Sequence, residues 1–218
     1  MLTILGRANS ANVQKVMWTV HELGLEYDRK DLGGPHGGLD AEGYRALNPN
    51  GVIPTIIDGD IVVWESNAII RYLTQKHDDG GLWPSDPGER ACADMWMDWM
   101  QTTLTGPLVK VWFGFYRTPE KYHDKEQIAL DIAELGRVYG LVDKALEGKA
   151  YIAGDQLTMG DIPIGLTLYR YFTIDIDRPA LPNLEATYRR LTERPAYRDV
   201  VMTDYTSLKD TLIPGQAH

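Results

Sequence analysis

Apolar side chains follow two different periods along the first part of the chain. Leu2 to Leu5 form a short apolar run, which is typical of a β-strand. Apolar residues then recur at helical spacing from Val13 to Leu23, and Gly24 stands where helices commonly end. The pattern therefore predicts a strand followed by a helix, with Ser10 at the position that caps the helix.

The next segment is predicted to complete an α/β unit with a mixed sheet, in the order βαβαββα over residues 1–77. A β-hairpin is indicated at Asp58-Gly59-Asp60, because glycine tolerates the positive φ of a tight turn. The elements expected after the first helix are a polar edge strand at 26–32, a short helix near 41–47, strands at 55–57 and 61–64, and a helix from Ser66.

The signal changes after residue 77. Residues 78–89 contain three glycines and two prolines, a composition that helices and strands do not tolerate internally. Beyond this segment the periodicity is helical. The predicted helices begin near Trp96 and recur at 126–147, 159–173, 184–193 and 196–202. We therefore predict an α/β domain at 1–77, a linker at 78–89 and an all-helical domain at 90–218.

The composition is that of an ordinary globular protein, with 44% hydrophobic and 24% charged residues. The net charge of −9 disfavours a protein that follows nucleic-acid phosphates. The single cysteine, Cys92, has no internal disulfide partner and is expected to be a small buried residue. We see no export signal, membrane span or metal-ligand spacing, so a cytoplasmic protein without nucleic-acid or membrane partners is expected.

Candidate chemistry concentrates in residues 48–73. Ile53-Pro54 comes directly before a predicted strand, where a proline cannot donate to the ladder. A cis bond there would turn the backbone of Ile53 outward, towards an extended peptide. Glu65-Ser66 begins a predicted helix, and this pair can hold an α-carboxylate and an ammonium. Each piece alone also fits a plain strand start or helix cap.

These segments resemble a known family when they are taken together. The run from Ser10 to Val16, NPNGVIPTI, the hairpin and WESNAIIRYL resemble the thioredoxin-like, glutathione-binding domain of cytosolic glutathione S-transferases. LTMGDI at 157–162 resembles the capping motif of their helical domain, in which Thr158 caps the helix and Asp161 reaches back. The resemblance covers nearly the whole chain and favours a bacterial member of the serine-type classes, such as theta and delta.

The resemblance implies catalytic roles for Ser10 and Asn12. Ser10 falls where serine-type classes place the hydroxyl that donates to the glutathione sulfur, although a plain helix cap also fits. Asn12 stands where theta and delta enzymes tend to have proline, and it either donates to the sulfur or satisfies backbone groups. The family's loop histidine is replaced by Leu39, and the nearest histidine, His36, fits a solvated loop residue better than a substitute ligand.

The resemblance also places the two substrates. Glutathione is expected to lie along Ile53 and Pro54, with its γ-glutamyl end at Glu65 and Ser66. The electrophile pocket is expected at four aromatic residues, although helical core or subunit contact is an alternative reading. These residues are Trp112, Phe113, Phe115 and Tyr116.

The implied activity is a glutathione transferase that acts on a small apolar electrophile, with a role such as detoxification. Glutathione is the implied co-substrate, no permanent cofactor or metal is expected, and the family implies a homodimer. Two alternatives stay open. One is a glutathione-dependent disulfide reductase or dehalogenase on the same fold, and the other is a non-catalytic glutathione-binding or scaffold protein.

Overall fold

The computed structural model describes residues 1–78 and 80–213; Asp79, inside the predicted linker, and residues 214–218 lie outside the described residues. The first elements follow the predicted order βαβαββα. They are β1 (Leu2–Leu5), α1 (Ala11–Glu22), β2 (Tyr27–Lys30), α2 (Glu42–Leu47), β3 (Thr55–Asp58), β4 (Ile61–Trp64) and α3 (Ser66–His77). The prediction of a mixed α/β unit is therefore confirmed.

The strands form one sheet in the order β2-β1-β3-β4. β1 runs parallel to β2 and antiparallel to β3, and β4 pairs antiparallel with β3. A shared core holds α1 and α3 against this sheet, and its buried residues are Leu2, Ile4, Val13, Val16, Val20, Ile56, Ile69 and Leu73. The short loop after β1 joins this sheet to the first turn of α1.

The remainder of the described chain is mainly helical, as predicted. Its helices are α4 (Pro87–Trp99), α5 (Thr105–Val111), α6 (Lys125–Ala145), α7 (Asp161–Thr173), α8 (Pro182–Thr192) and α9 (Pro195–Val200). Two wider, π-helical turns follow α4 and α5, at Met100–Leu104 and Trp112–Arg117. Such turns insert an extra residue and shift the side chains that follow them around the axis.

The first helix after the predicted linker begins earlier than expected, within residues 78–89. α4 already begins at Pro87, because proline fits the first turn of a helix and Asp86 caps it. The Asp86 carboxylate accepts hydrogen bonds from Gly88 N at 2.8 Å and Glu89 N at 3.0 Å. The division into domains at 1–77 and 90–218 stays a prediction.

α1 is attached to the helical part of the chain. Gln14 donates from Nε2 to the carbonyl of Val200 at 2.9 Å, although 186 residues separate them. The Glu22 carboxylate accepts two hydrogen bonds from Arg194, at 2.8 and 2.6 Å. Trp18 is buried in the core of the helical part. These contacts fix the position of α1 and therefore of its first turn.

Two local predictions need correction. Cys92 is exposed rather than buried, because the inward face of α4 is carried by its neighbour Ala93 and by Met97. In the capping motif, Asp161 does reach back and accepts from Thr158 N at 2.9 Å. The Thr158 hydroxyl, however, donates to Asp161 at 3.0 Å instead of capping the helix. In the described ranges, no helix has the length and apolarity needed to cross a bilayer.

Candidate active site

A cavity of about 290 Å³ lies between the first turn of α1 and the helical part of the chain. Ser10, Asn12 and Lys15 line it from α1. Trp112 and Phe113 line it from the π-helical turn after α5. The structure thus brings both predicted catalytic residues and two of the predicted pocket aromatics to one space.

Ser10 lies at the N-cap position of α1. Its carbonyl accepts the first helical hydrogen bond, from Gln14 N at 2.8 Å. Its hydroxyl, however, makes no hydrogen bond with the first turn. The sequence left two roles open for the Ser10 hydroxyl, helix cap and donor to the sulfur. Ser10 occupies the cap position, but its hydroxyl does not act as the cap. Ser10 lines the cavity at the positive end of a twelve-residue helix.

Asn12 connects the starts of two helices. Its side-chain Oδ1 accepts a hydrogen bond from the hydroxyl of Ser66 at 3.4 Å. Ser66 is buried in the first turn of α3, whereas Asn12 is exposed. The predicted sulfur site and the predicted γ-glutamyl site therefore meet at this contact.

Glu65 and Ile53 are not part of the lining of this cavity. Glu65 precedes α3 with a φ of 71°, the left-handed region that favours glycine, and its side chain is exposed. The Ile53–Pro54 peptide bond is cis, and Pro54 is buried. Among the described residues, the backbone N–H and C=O of Ile53 have no backbone partner. An extended ligand can pair with these two groups.

Lys15 is the residue of α1 that the sequence analysis did not single out. Its side chain is only 2% exposed, yet it lines the cavity and forms no ion pair within the described part of the chain. Burial lowers the pKa of Lys15 to about 8, while the charge of Glu65 acts to raise it. Lys15 lies three residues after Asn12 and therefore on the same side of α1.

The four predicted pocket aromatics are not brought together. Phe115 and Tyr116 line a separate cavity of about 770 Å³, bordered by Tyr169 and Tyr205. The ring of Tyr116 stacks behind that of Trp112, with 4.6 Å between their centroids. The π-helical turn explains the separation, since it directs side chains of the same segment to opposite sides.

The loop after β2 does not supply a histidine to the cavity. His36 is exposed and lies 3.8 Å from Asp31. Leu39 lies beside Gly33, close enough that a side chain at Gly33 would be within 3.2 Å of it. The described residues contain no cluster of three or more side chains that could hold a metal ion.

The structure adds three arginines that sequence reasoning missed. Arg7, Arg117 and Arg170 line the same cavity as Ser10. They come from the loop after β1, the second π-helical turn and α7. No local motif connects such distant positions. Lys15, in contrast, could have been found, because a lysine three residues after Asn12 lies on the same face of the helix.

Comparison with known proteins gives the same picture. Residues 9–76 match the model of the glutathione S-transferase N-terminal domain, and residues 104–195 match that of the C-terminal domain. The chain is 38% identical over 204 residues to glutathione S-transferase GstB of Escherichia coli K12, across 93% of this chain and 98% of that protein. It is 35% identical over 165 residues to glutathione S-transferase D7 of Drosophila melanogaster, across 75% of this chain and 71% of that protein.

A solved structure agrees in fold over the same length. The theta class glutathione S-transferase from Xanthomonas axonopodis pv. citri, crystallised with glutathione bound, superposes with a TM-score of 0.89. The two sequences are 46% identical across 93% of this chain and 98% of that one. This chain therefore belongs to the glutathione S-transferase family, as an enzyme that transfers glutathione.

Proposed function

We propose that this transferase activates the thiol of its co-substrate glutathione at the first turn of α1, with Ser10 as the donor to the sulfur. The observation that carries the proposal is that Ser10 lies at the helix N-terminus and lines the cavity, while its hydroxyl does not cap the helix. We place the tripeptide backbone along Ile53 and Pro54, and the γ-glutamyl end at Glu65 and Ser66.

The physical requirement is a stable thiolate. A free thiol with a pKa of about 8.5 is mostly protonated at neutral pH. A hydrogen bond from Ser10 and the positive end of α1 both favour the thiolate. The charge of the buried Lys15, which lines the same cavity, adds a third favourable interaction. The helix, the hydroxyl and the lysine therefore all act in the same direction.

The reaction then needs little further chemistry from the protein. The thiol proton leaves to solvent, and the sulfur lone pair forms a bond to an electrophilic carbon of the second substrate. A leaving group departs from that carbon with its electron pair. The remaining contribution is orientation, because holding both reactants in one cavity converts a bimolecular encounter into a unimolecular step.

Substitution of Ser10 tests this proposal. In Ser10→Ala we expect the pKa of enzyme-bound glutathione to rise by about one to two units, since the thiolate loses its hydroxyl donor. Turnover of a model electrophile at neutral pH should fall by about tenfold or more. Ultraviolet difference titration of the bound thiolate measures the first quantity, and steady-state kinetics measures the second.

Asn12→Ala is the matched control, since Asn12 lines the same cavity from the same helical turn. We expect it to leave the bound thiol pKa within a few tenths of a unit of that in the native chain. An unchanged pKa in Ser10→Ala, together with loss of the shift in Asn12→Ala, would transfer the donor role to Asn12.

We also propose that the chain forms a homodimer and works in the cytoplasm, where cell fractionation should recover it. The dimer is supported by β4, an edge strand whose Ile61, Val62 and Trp64 are 50%, 38% and 37% exposed. Exposed apolar side chains on an unpaired strand edge are typical of an interaction surface.

A further inference from the structure

The cavity beside Ser10 is lined by cations without counterions. Arg7, Lys15, Arg117 and Arg170 all face it, and its lining within the described residues contains no aspartate or glutamate. This is unusual in a chain whose net charge is −9. The positive charge is therefore concentrated at the place where the second substrate must react.

The three arginines also lack carboxylate partners outside the cavity. Within residues 1–78 and 80–213, none of them forms an ion pair. Five of the ten arginines elsewhere do form one, for example Arg71 with Asp94 at 2.5 Å and Arg194 with Glu22 at 2.6 Å. What distinguishes the cavity is that three arginines without ion pairs line the same space.

Each of the three guanidinium groups has N–H donors that make no hydrogen bond within the described residues. Arg170 uses only Nη2, which donates to the carbonyl of Asn9 at 3.1 Å and to Gln14 at 3.3 Å. Arg7 uses only Nη1, which donates to the side chain of Asn9 at 2.8 Å. Arg117 uses Nε and Nη2, which both donate to Thr211. The remaining N–H groups have no partner among the described residues and can hold an oxyanion.

Aromatic rings position two of these cations. The Arg170 guanidinium lies 4.6 Å from the ring centroid of Trp112, and that of Arg117 lies 5.2 Å from the centroid of Phe113. Both rings belong to the predicted electrophile pocket and line the cavity. The site therefore offers a flat apolar wall with guanidinium groups beside it.

Mutual repulsion makes this arrangement costly without a ligand. Burial lowers the pKa of Arg170 to about 10; the positive charges of Arg7 and Arg117 act in the same direction, and Tyr205 and Tyr116 act against it. Like charges held together in a partly buried site destabilise one another until an anion neutralises them.

We propose that the electrophile is an anion, namely a flat, aromatic compound with a carboxylate group that Arg117 and Arg170 bind. This inference rests on the proposed transferase function and revises the expectation of a purely apolar second substrate. Glutathione has carboxylates of its own, but its predicted contacts at Ile53 and Ser66 do not line the cavity. Arg117 and Arg170 instead come from the helical part of the chain, beside Trp112 and Phe113.

A matched pair of substrates tests the proposal: 4-chloro-3,5-dinitrobenzoate and its neutral amide. In both, the glutathione sulfur forms a bond to C4, the C4–Cl bond breaks, and chloride leaves with the electron pair. The thiol proton goes to solvent, and the carboxylate or amide group takes no part. Each kcat/KM is divided by the rate constant of the uncatalysed reaction with glutathione, because the two substituents activate the ring differently.

We expect the native enzyme to prefer the benzoate over the amide by about tenfold or more after this correction. Arg117→Met and Arg170→Met should each remove most of the preference by raising KM for the benzoate, and Arg117→Lys should restore part of it. Arg137→Met is the control, since Arg137 lies on the surface of α6 and pairs with Glu134. It should keep the native preference.

Three outcomes would overturn the inference. The first is a corrected preference near one in the native enzyme, and the second is a preference that survives both methionine substitutions. The third is an increase in KM for glutathione alone, which would assign the arginines to the carboxylates of the tripeptide. If neither compound is turned over and the bound thiol shows no pKa shift, the proposed transferase mechanism itself fails.

Discussion

Lys15 carries a charge that the free protein does not neutralise. Taking an ammonium group out of water is costly unless a counterion accompanies it. The exposed Glu65 is the acid whose charge acts on Lys15, and it compensates only part of this cost. A buried cation that lowers stability and faces a ligand cavity is better explained by binding or catalysis than by folding.

Removal of this charge should stabilise the empty enzyme. In Lys15→Met we expect the free energy of unfolding at pH 7 to rise by up to about 3 kcal/mol, since the pKa of Lys15 is lowered from 10.5 to about 8. The gain should shrink between pH 8 and pH 10.5, because across that range the folded chain has released a proton that the unfolded chain still binds.

Urea denaturation of both chains at several pH values measures this difference. Lys144→Met, at an exposed position of α6, is the matched control and should change stability by less than about 0.5 kcal/mol. Lys15→Met should also raise the pKa of bound glutathione. A variant that is less stable than the native chain at pH 7 would show that Lys15 is well compensated in the fold.

Asp161 shows how one side chain organises an entire helix start. It is buried at the first turn of α7 and accepts hydrogen bonds from Ile152 N at 2.7 Å, Thr158 N at 2.9 Å and the Thr158 hydroxyl at 3.0 Å. It therefore ties the segment before the helix to α7. α7 in turn carries Arg170 into the cavity.

Asp161→Ala should lower the free energy of unfolding by about 3 kcal/mol, because it leaves two buried backbone N–H groups without an acceptor. Thr158→Val keeps those bonds and should cost about 1 kcal/mol.

Burial raises the pKa of Asp161 from 3.8 to about 6, so its contribution to stability should decrease as pH rises through that range. Thermal unfolding as a function of pH measures both effects; equal losses in the two variants would contradict this role.

The elements could be predicted wherever periodicity and local turn chemistry agree. Helix α1, the hairpin at Asp58-Gly59-Asp60 and the four later helices follow directly from spacing and caps. The π-helical turn at Trp112–Arg117 has no comparable signal, since an extra residue per turn leaves the apolar pattern ambiguous. For that reason the four aromatics that were predicted to share one pocket line two cavities, Trp112 and Phe113 one and Phe115 and Tyr116 the other.

The molecule as a whole is assembled around contacts between distant segments, which explains what the sequence could not predict. Ser10, Asn12 and Ser66 all belong to the α/β unit, and the structure places them close together as predicted. The arginine cluster draws on residues 7, 117 and 170, which become neighbours only after the helical part has packed on α1. The arginines of the cavity were thus less predictable than the glutathione-binding domain.

The outer edge of the sheet gives a prediction about assembly. We expect the native chain to run in light scattering as a particle of twice 24.6 kDa. Ile61→Lys on β4 should weaken association by about tenfold or more, because it would bury a charge in an apolar contact. Leu130→Lys, at an exposed position of α6, should leave association unchanged. A native chain that is monomeric at micromolar concentration would rule out the dimer.

The bond from Gln14 to the carbonyl of Val200 links two segments that lie 186 residues apart. A chain emerging from a ribosome exposes α1 long before its anchor at Val200 exists. The α/β unit can form early during synthesis, but the turn that carries Ser10 reaches its final position only when α9 has been made. Because Arg117, Arg170 and the anchor at Val200 all lie in the helical part, the growing chain completes the α/β unit before it can close the cavity beside Ser10.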